Sequence, residues 1–225
     1  MAITFINSTD LQLTAAASTW SIPTHSSMSG GATFVVALGL ASSAVTISTV
    51  TDNTTNLYRI AIARPTPKPT GGAELWYSSP ISSASTRVSV TLSANSSGSL
   101  GIAQFTGIST LNALNKTGSS AITANSTDHG ASEITPSSAN QVVVSYARLT
   151  ASTVGTITNL GSMTSIFTFS SVMRHHGMYL VQGAASTATG SFTTSSNCQH
   201  ASVIASFSDT QGVGPPRAMM MMGIG

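Results

Sequence analysis

The sequence predicts an all-β protein, a single antiparallel β-sandwich of about a dozen strands. Three observations carry that expectation. Apolar residues recur with period two or in short runs and never at i, i+3, i+4, i+7 across a helix-length window. Turn formers interrupt the pattern roughly every eight to twelve positions. The composition also suits a pleated surface: Ser and Thr supply 71 of the 225 residues, and the hydrophobic fraction of 41% with mean hydropathy +0.24 is enough for a core.

Taken in order, residues 33–40 (TFVVALGL) read as a buried strand. Residues 45–50 alternate before a turn at Asp52-Asn53, and residues 57–63 follow as the next strand. Pro65, Pro67 and Pro69 forbid regular ladder pairing, so 64–72 is expected to be a loop with polyproline character or an edge, and a strand resumes over 73–78. Residues 86–92 place Val88, Val90 and Leu92 on one face and Arg87, Ser89 and Thr91 on the other, with 100–105 as the expected hairpin partner. Between 107 and 138 the pattern weakens into Asn, Ser, Thr and Gly, which predicts a long connection with at most one short strand at 121–124. Strands over 142–149, 165–169, 172–181, 190–194 and 201–207 complete the set, and no helix is needed.

One domain over 1–211 is expected, followed by an extended tail over 212–225. The tail carries two prolines, Arg217 and the run Met219, Met220, Met221, Met222 between small residues. Methionine is flexible and polarizable and fits irregular apolar grooves, so the tail reads as a docking segment.

Charge is the chain's scarcest resource. Lys, Arg, Asp and Glu make up 6% of it, so the polar surface must be built from neutral hydroxyls, and little self-repulsion keeps the protein monomeric. The eight basic residues are scattered, which leaves no nucleic-acid footprint. No apolar run approaches the roughly 20 residues of a membrane span, and the start Met1-Ala2-Ile3-Thr4-Phe5 lacks a basic region and an apolar core, so no Sec signal is read and assembly in a host cytoplasm is expected. The single cysteine, Cys198, excludes an internal disulfide framework and reads as a small buried apolar residue.

Candidate chemistry is thin. Arg174-His175-His176 is the densest titratable cluster, but neighbours on a strand point to opposite faces and cannot chelate together without a bulge. Asp52, Asp128, Asp209, Glu74 and Glu133 do not form a D-x-[DN]-x-[DN]-G calcium loop, and Asp52-Asn53 and Asp128-His129-Gly130 read as turn closers. No G-x-S-x-G elbow occurs, and six acids make a paired-carboxylate glycosidase improbable, so no catalytic residue, metal or cofactor is assigned. Trp76 and Tyr77 remain. Alternation puts one ring inward as core and one outward, where it would serve an interface or, as the alternative, stack on a sugar.

Several segments resemble a large group of bacterial and phage β-sandwich domains. They are Ser48-Thr49-Val50-Thr51-Asp52-Asn53 with Asn56-Leu57-Tyr58, then Glu74-Leu75-Trp76-Tyr77, Val88-Ser89-Val90-Thr91-Leu92 and Gln104-Phe105-Thr106-Gly107-Ile108. The resemblance spans roughly residues 30 to 208; Pro67 and Pro69 stand where that group has a glycine-rich link. It implies a jelly-roll-like sandwich of virion and surface proteins and carries no catalytic signature. With the plain chain start it points to a phage structural protein, a capsid decoration or minor capsid protein. The implied partners are copies of itself, a trimer by resemblance, and a major capsid protein, with Arg217, the methionine run, Trp76 and Tyr77 at the interface. The alternative is a receptor- or glycan-binding module of a tail fibre or cell surface.

Overall fold

The computed structural model describes residues 2–24, 31–65, 71–78, 80–81, 84–129, 133–150, 154–169 and 173–209. These residues form fourteen antiparallel-paired strands and no helix. The first half of the chain supplies β1 (Thr4–Pro23), β2 (Thr33–Leu40), β3 (Ile47–Asp52), β4 (Tyr58–Ile62), β5 (Gly72–Ser78) and β6 (Arg87–Thr106). The second supplies β7 (Leu114–His129), β8 (Glu133–Ile134), β9 (Gln141–Leu149), β10 (Ile157–Asn159), β11 (Thr164–Phe169), β12 (His175–Gln182), β13 (Ala188–Thr189) and β14 (Phe192–Ser208). The protein is a β-sandwich of two six-stranded sheets, with β8 and β13 as a small extra pair.

Each large sheet is made by one half of the chain, and the two have the same topology. The first runs β1-β6-β2-β5-β4 with β3 also on β6; the second runs β7-β14-β9-β12-β11 with β10 also on β14. Even the irregularities coincide. β1 slips against β6 between Phe5 and Asn7, beside Phe105, and β7 slips against β14 between Leu114 and Lys116, beside Phe207. β4 slips against β5 between Ile60 and Ile62, opposite Trp76 and Leu75; β11 slips against β12 between Ser165 and Phe167, opposite Met178 and Gly177. A bulge is a specific local geometry, so two bulges at matching positions in matching strands make the halves structural repeats. The register lays Gly101-Ile102-Ala103-Gln104-Phe105 on Val203-Ile204-Ala205-Ser206-Phe207, and Tyr77 on Tyr179.

Three cores result. The sheets pack face to face through Val35, Ala37, Leu75, Ala103 and Phe105 from the first and Val142, Val144, Tyr146, Val203 and Phe207 from the second. The pseudo-twofold relation shows in the rings: Tyr77 lies 5.4 Å from Phe207, and its counterpart Tyr179 lies 5.9 Å from Phe105. The opposite face of each sheet curls over a core of its own. Val88, Val90 and Leu92 from the first part of β6 close onto Leu100 and Ile102 from its second part, together with Trp20, Phe34, Val36 and Leu38. Phe192, Cys198 and Ile204 of β14 do the same with Val143, Leu149 and Met178. The central strands β2 and β9 are therefore buried on both faces along their whole length, which is why they read as continuous apolar runs.

The repeats fill equivalent space with different residues. In the first sheet Ile62 and Leu75 sit where the second has Phe167 and Gly177, and a Cβ added at Gly177 would overlap the Phe167 ring. Trp20 covers Gly98 in the first sheet, while the second places His129 beside His200. Gly98 pairs with Leu40 at the end of β2 just as His200 pairs with Leu149 at the end of β9. A close-packed interior requires such exchanges to conserve volume.

Several boundaries differ from the sequence expectation. The segments expected at 86–92 and 100–105 are not a hairpin: from residue 87 on they are parts of the one strand β6, and of those expected at 190–194 and 201–207, residues 192–194 and 201–207 belong likewise to β14. At Ser96-Ser97-Gly98 the alternation lapses because β6 bends there to wrap its core. Most of 107–138, expected as a connection, contains the sixteen-residue strand β7. β1 likewise occupies residues 4–23, about half of them polar, where no strand is expected. Both are flanking strands whose side chains are mostly half-exposed on either face, so period-two burial leaves little imprint on them.

Candidate functional site

Trp76 and Tyr77 are both half-buried, each packed against a core. Trp76 packs against the first sheet's own core and donates its Nε1–H to Glu74 Oε2 at 3.3 Å, while Tyr77 joins the central core. The two rings point to opposite faces as alternation requires, but neither is fully outward: β5 lies between two apolar layers, so each ring is half-covered by a core. Arg217, Met219, Met220, Met221 and Met222 lie outside the described residues, as do Pro67 and Pro69.

Asp52 sits in a turn and Glu74 in a buried pair, whereas Asp128, expected as a turn closer, lies exposed within strand β7. Asp52 closes its turn as expected, accepting from the Thr54 amide at 2.9 Å, Thr54 Oγ1 at 2.7 Å, Asn56 Nδ2 at 2.7 Å and the Tyr58 hydroxyl at 3.1 Å. Burial pushes its carboxyl up, but these bonds from Asn56, Thr54 and Tyr58 outweigh that and hold it below its ordinary value. Glu74 instead pairs with Arg64 at 2.9 Å in a nearly inaccessible ion pair, packed where Gly72 has no side chain.

Histidine is the residue the fold gathers most. His175 and His176 face opposite sides of β12, as the strand geometry requires, and both are buried. His175 turns toward Tyr146, Phe167 and Phe169, with Nδ1 on the Met173 carbonyl at 3.2 Å and Nε2 on Asp10 of the other sheet at 3.3 Å. His176 faces Phe192, with Nε2 2.5 Å from Asn159 Oδ1 and Nδ1 2.9 Å from the Thr168 hydroxyl. Burial and the neighbouring His175 push His176 down to about 4, so it is neutral.

Of the remaining histidines His25 lies outside the described residues, and His129 and His200 meet across β7 and β14, a meeting that their separation in sequence concealed. His129 Nδ1 lies 3.0 Å from His200 Nδ1, and His129 Nε2 lies 2.8 Å from Thr194 Oγ1 and 3.3 Å from Cys198 Sγ. Thr194 gives its only hydroxyl proton to the Ser196 carbonyl at 2.8 Å. It must therefore accept from His129 Nε2–H, which leaves His129 Nδ1 bare to accept from His200 Nδ1–H. The cysteine and the second histidine sit at opposite nitrogens of one ring, a line and not a coordination shell. Among the described residues no group of three or more His, Cys, Asp or Glu side chains is placed to hold a metal ion. Cys198 is buried as expected, and burial pushes its thiol up, away from the reactive thiolate.

A polar recess lies at the junction of the repeats, a groove of about 460 Å³ bordered by Ser109, Asn112, Asn115, Ser137, Ser138 and Asp209, with Leu114 as its apolar wall. Asn115 and Ser137 bond to each other across it, Nδ2 to Oγ at 2.6 Å and backbone amide to Oδ1 at 3.0 Å. Among the described residues its lining has no aromatic ring and no cation, so it offers hydrogen bonds without a stacking platform.

Fold and interior together define a duplicated all-β sandwich with His129, His175, His176 and His200 buried in its interior. No family model, no curated protein and no solved structure matches the chain.

Proposed function

We propose that the chain is a structural protein of a virion, a capsid decoration or minor capsid protein that binds a protein shell and reinforces it. The observation that supports this reading best is where the ions lie. Among the described residues only Arg59, Arg87, Lys116, Asp128 and Glu133 have exposed ionic side chains, while Glu74, Arg148, Arg174 and Asp209 are buried. The exterior is a sheet of hydroxyls and amides punctuated by the apolar side chains Ile6, Leu57, Ile60, Leu111, Leu160 and Val181. Such a surface desolvates without breaking ion hydration, which favours close packing against neighbouring protein. The mechanism is adhesion without turnover, with copies of the chain, a trimer by resemblance, and a major capsid protein as partners. The tail with Arg217 and Met219 to Met222 is the docking element. A glycan-binding module, the alternative, would rest on the polar groove and on the exposed part of Trp76 or Tyr77, both half-buried against the cores.

The test is purification of particles with quantification of this chain per particle, for the full protein and for a variant ending at residue 211. The full chain is expected at saturating copy number, and the shortened chain is expected to keep its β spectrum and lose the particle. Full occupancy without the tail would refute the docking role. A chain found only free in solution would refute the structural reading.

A further inference from the structure

We propose that the His129–His200 pair is an acid-sensitive plug that loosens the outer layer of the second repeat, while the equivalent plug of the first repeat does not respond. The argument is one of proton count. Both rings are fully buried, and the chain of donors runs one way, from His200 through His129 and Thr194 to the Ser196 carbonyl. A proton added to His129 Nδ1 meets the His200 Nδ1–H head-on at 3.0 Å, unless His200 gives its own proton up. Either way a cation appears in a seat whose walls are Phe192, stacked 4.9 Å from His129, and the neutral Cys198 thiol. Burial pushes His129 below its ordinary value and the nearby Asp128 only partly opposes this.

Among the described residues, the titratable groups around the pair supply no anion buried beside the rings. On β7, Asp128 is exposed on the opposite side of the strand from His129. On β12, His176 lies behind Phe192, and Arg174 just before that strand adds positive charge near Cys198. On β14 the facing groups are Cys198 and His200 themselves. The internal repeat supplies a control. At the same place in the first sheet Trp20 covers Gly98 and donates Nε1–H to the Ser96 carbonyl at 3.2 Å, and nothing in that plug titrates near neutrality.

Amide hydrogen exchange of the whole protein at pH 7.5 and 5.0 decides the matter, read as protection factors so that intrinsic rates cancel. Protection in β7 and in the first half of β14 is expected to fall by about tenfold or more at pH 5.0, with β1 and the first half of β6 unchanged. Unchanged protection in β7, or an equal loss in β1, overturns the proposal. A second measurement transplants the first repeat's plug as His129→Trp with His200→Gly, which is expected to abolish the response. His176→Asn, by contrast, is expected to leave it in place. Should the double variant not fold, ring titration of His129 and His200 by NMR in the native protein carries the test. Rings that titrate as in a free peptide overturn the proposal.

Discussion

The duplicated register predicts that Phe167 and Gly177 are one packing unit, separable only at a loss. Phe167 lies over Gly177, where any Cβ would overlap its ring, and 2.7 Å from the site of a Cβ on Gly101 of the facing sheet. Its edges meet Tyr146 and His175. Phe167→Ile alone leaves a partial cavity floored by two glycines that have no side chains with which to fill it. Full truncation of such a ring costs about 3–5 kcal/mol and this partial one about 2–3. Gly177→Leu alone drives a branched side chain into the ring, an overpacking of about 3 kcal/mol. The two changes together copy Ile62 and Leu75 of the first sheet, so the double variant is expected to lose less than about 2 kcal/mol in place of the roughly 5 that independent losses would add to. At about 2–4 °C per kcal/mol for a chain of this size, each single variant should melt about 5–10 °C low and the pair should recover most of that. Calorimetry or urea unfolding of the four proteins reads the cycle directly. Additive losses would refute the equivalence of the two sites and the volume argument with it.

Three further outcomes follow from the buried polar groups and close approaches. The fold stabilises neutral His176, so its contribution is complete above its ordinary value of 6.5 and is lost as pH falls toward about 4. The urea midpoint should correspond to about 3 kcal/mol less stability at pH 4 than at pH 7 from this group alone, and His176→Gln should flatten that part of the profile. Gly98→Ala should destabilise the protein by more than about 3 kcal/mol, because the new methyl would overlap the Gly39 carbonyl and the Trp20 ring, and neither backbone nor indole has room to yield. Glu74→Ala strands Arg64 in a nearly inaccessible place and should cost about 3–5 kcal/mol in thermal unfolding, whereas Arg64→Met with Glu74→Leu should recover most of it.

By itself the sequence determined the class and much of the ladder. The runs at 33–40 and 142–149 are mostly apolar because β2 and β9 are covered on both faces, and Val88, Val90 and Leu92 declare their buried face by strict alternation. The Asp52 turn was equally legible, since an Asx side chain bonding its own backbone is a local event. What lies beyond the chain's own neighbourhood was not. β1 and β7 carry polar residues on both sides because they flank their sheets. The matching segments at Gly101 to Phe105 and Val203 to Phe207 are too short to announce a duplication until the register aligns their bulges. Only the stacking of the sheets decided that Tyr77 meets Phe207 instead of solvent, and only the pairing of β7 with β14 brought His129 to His200. Periodicity reports which face of a strand is apolar. What that face rests against is set by contacts between residues far apart in the chain, and in this protein those contacts convert an outward face into a second core.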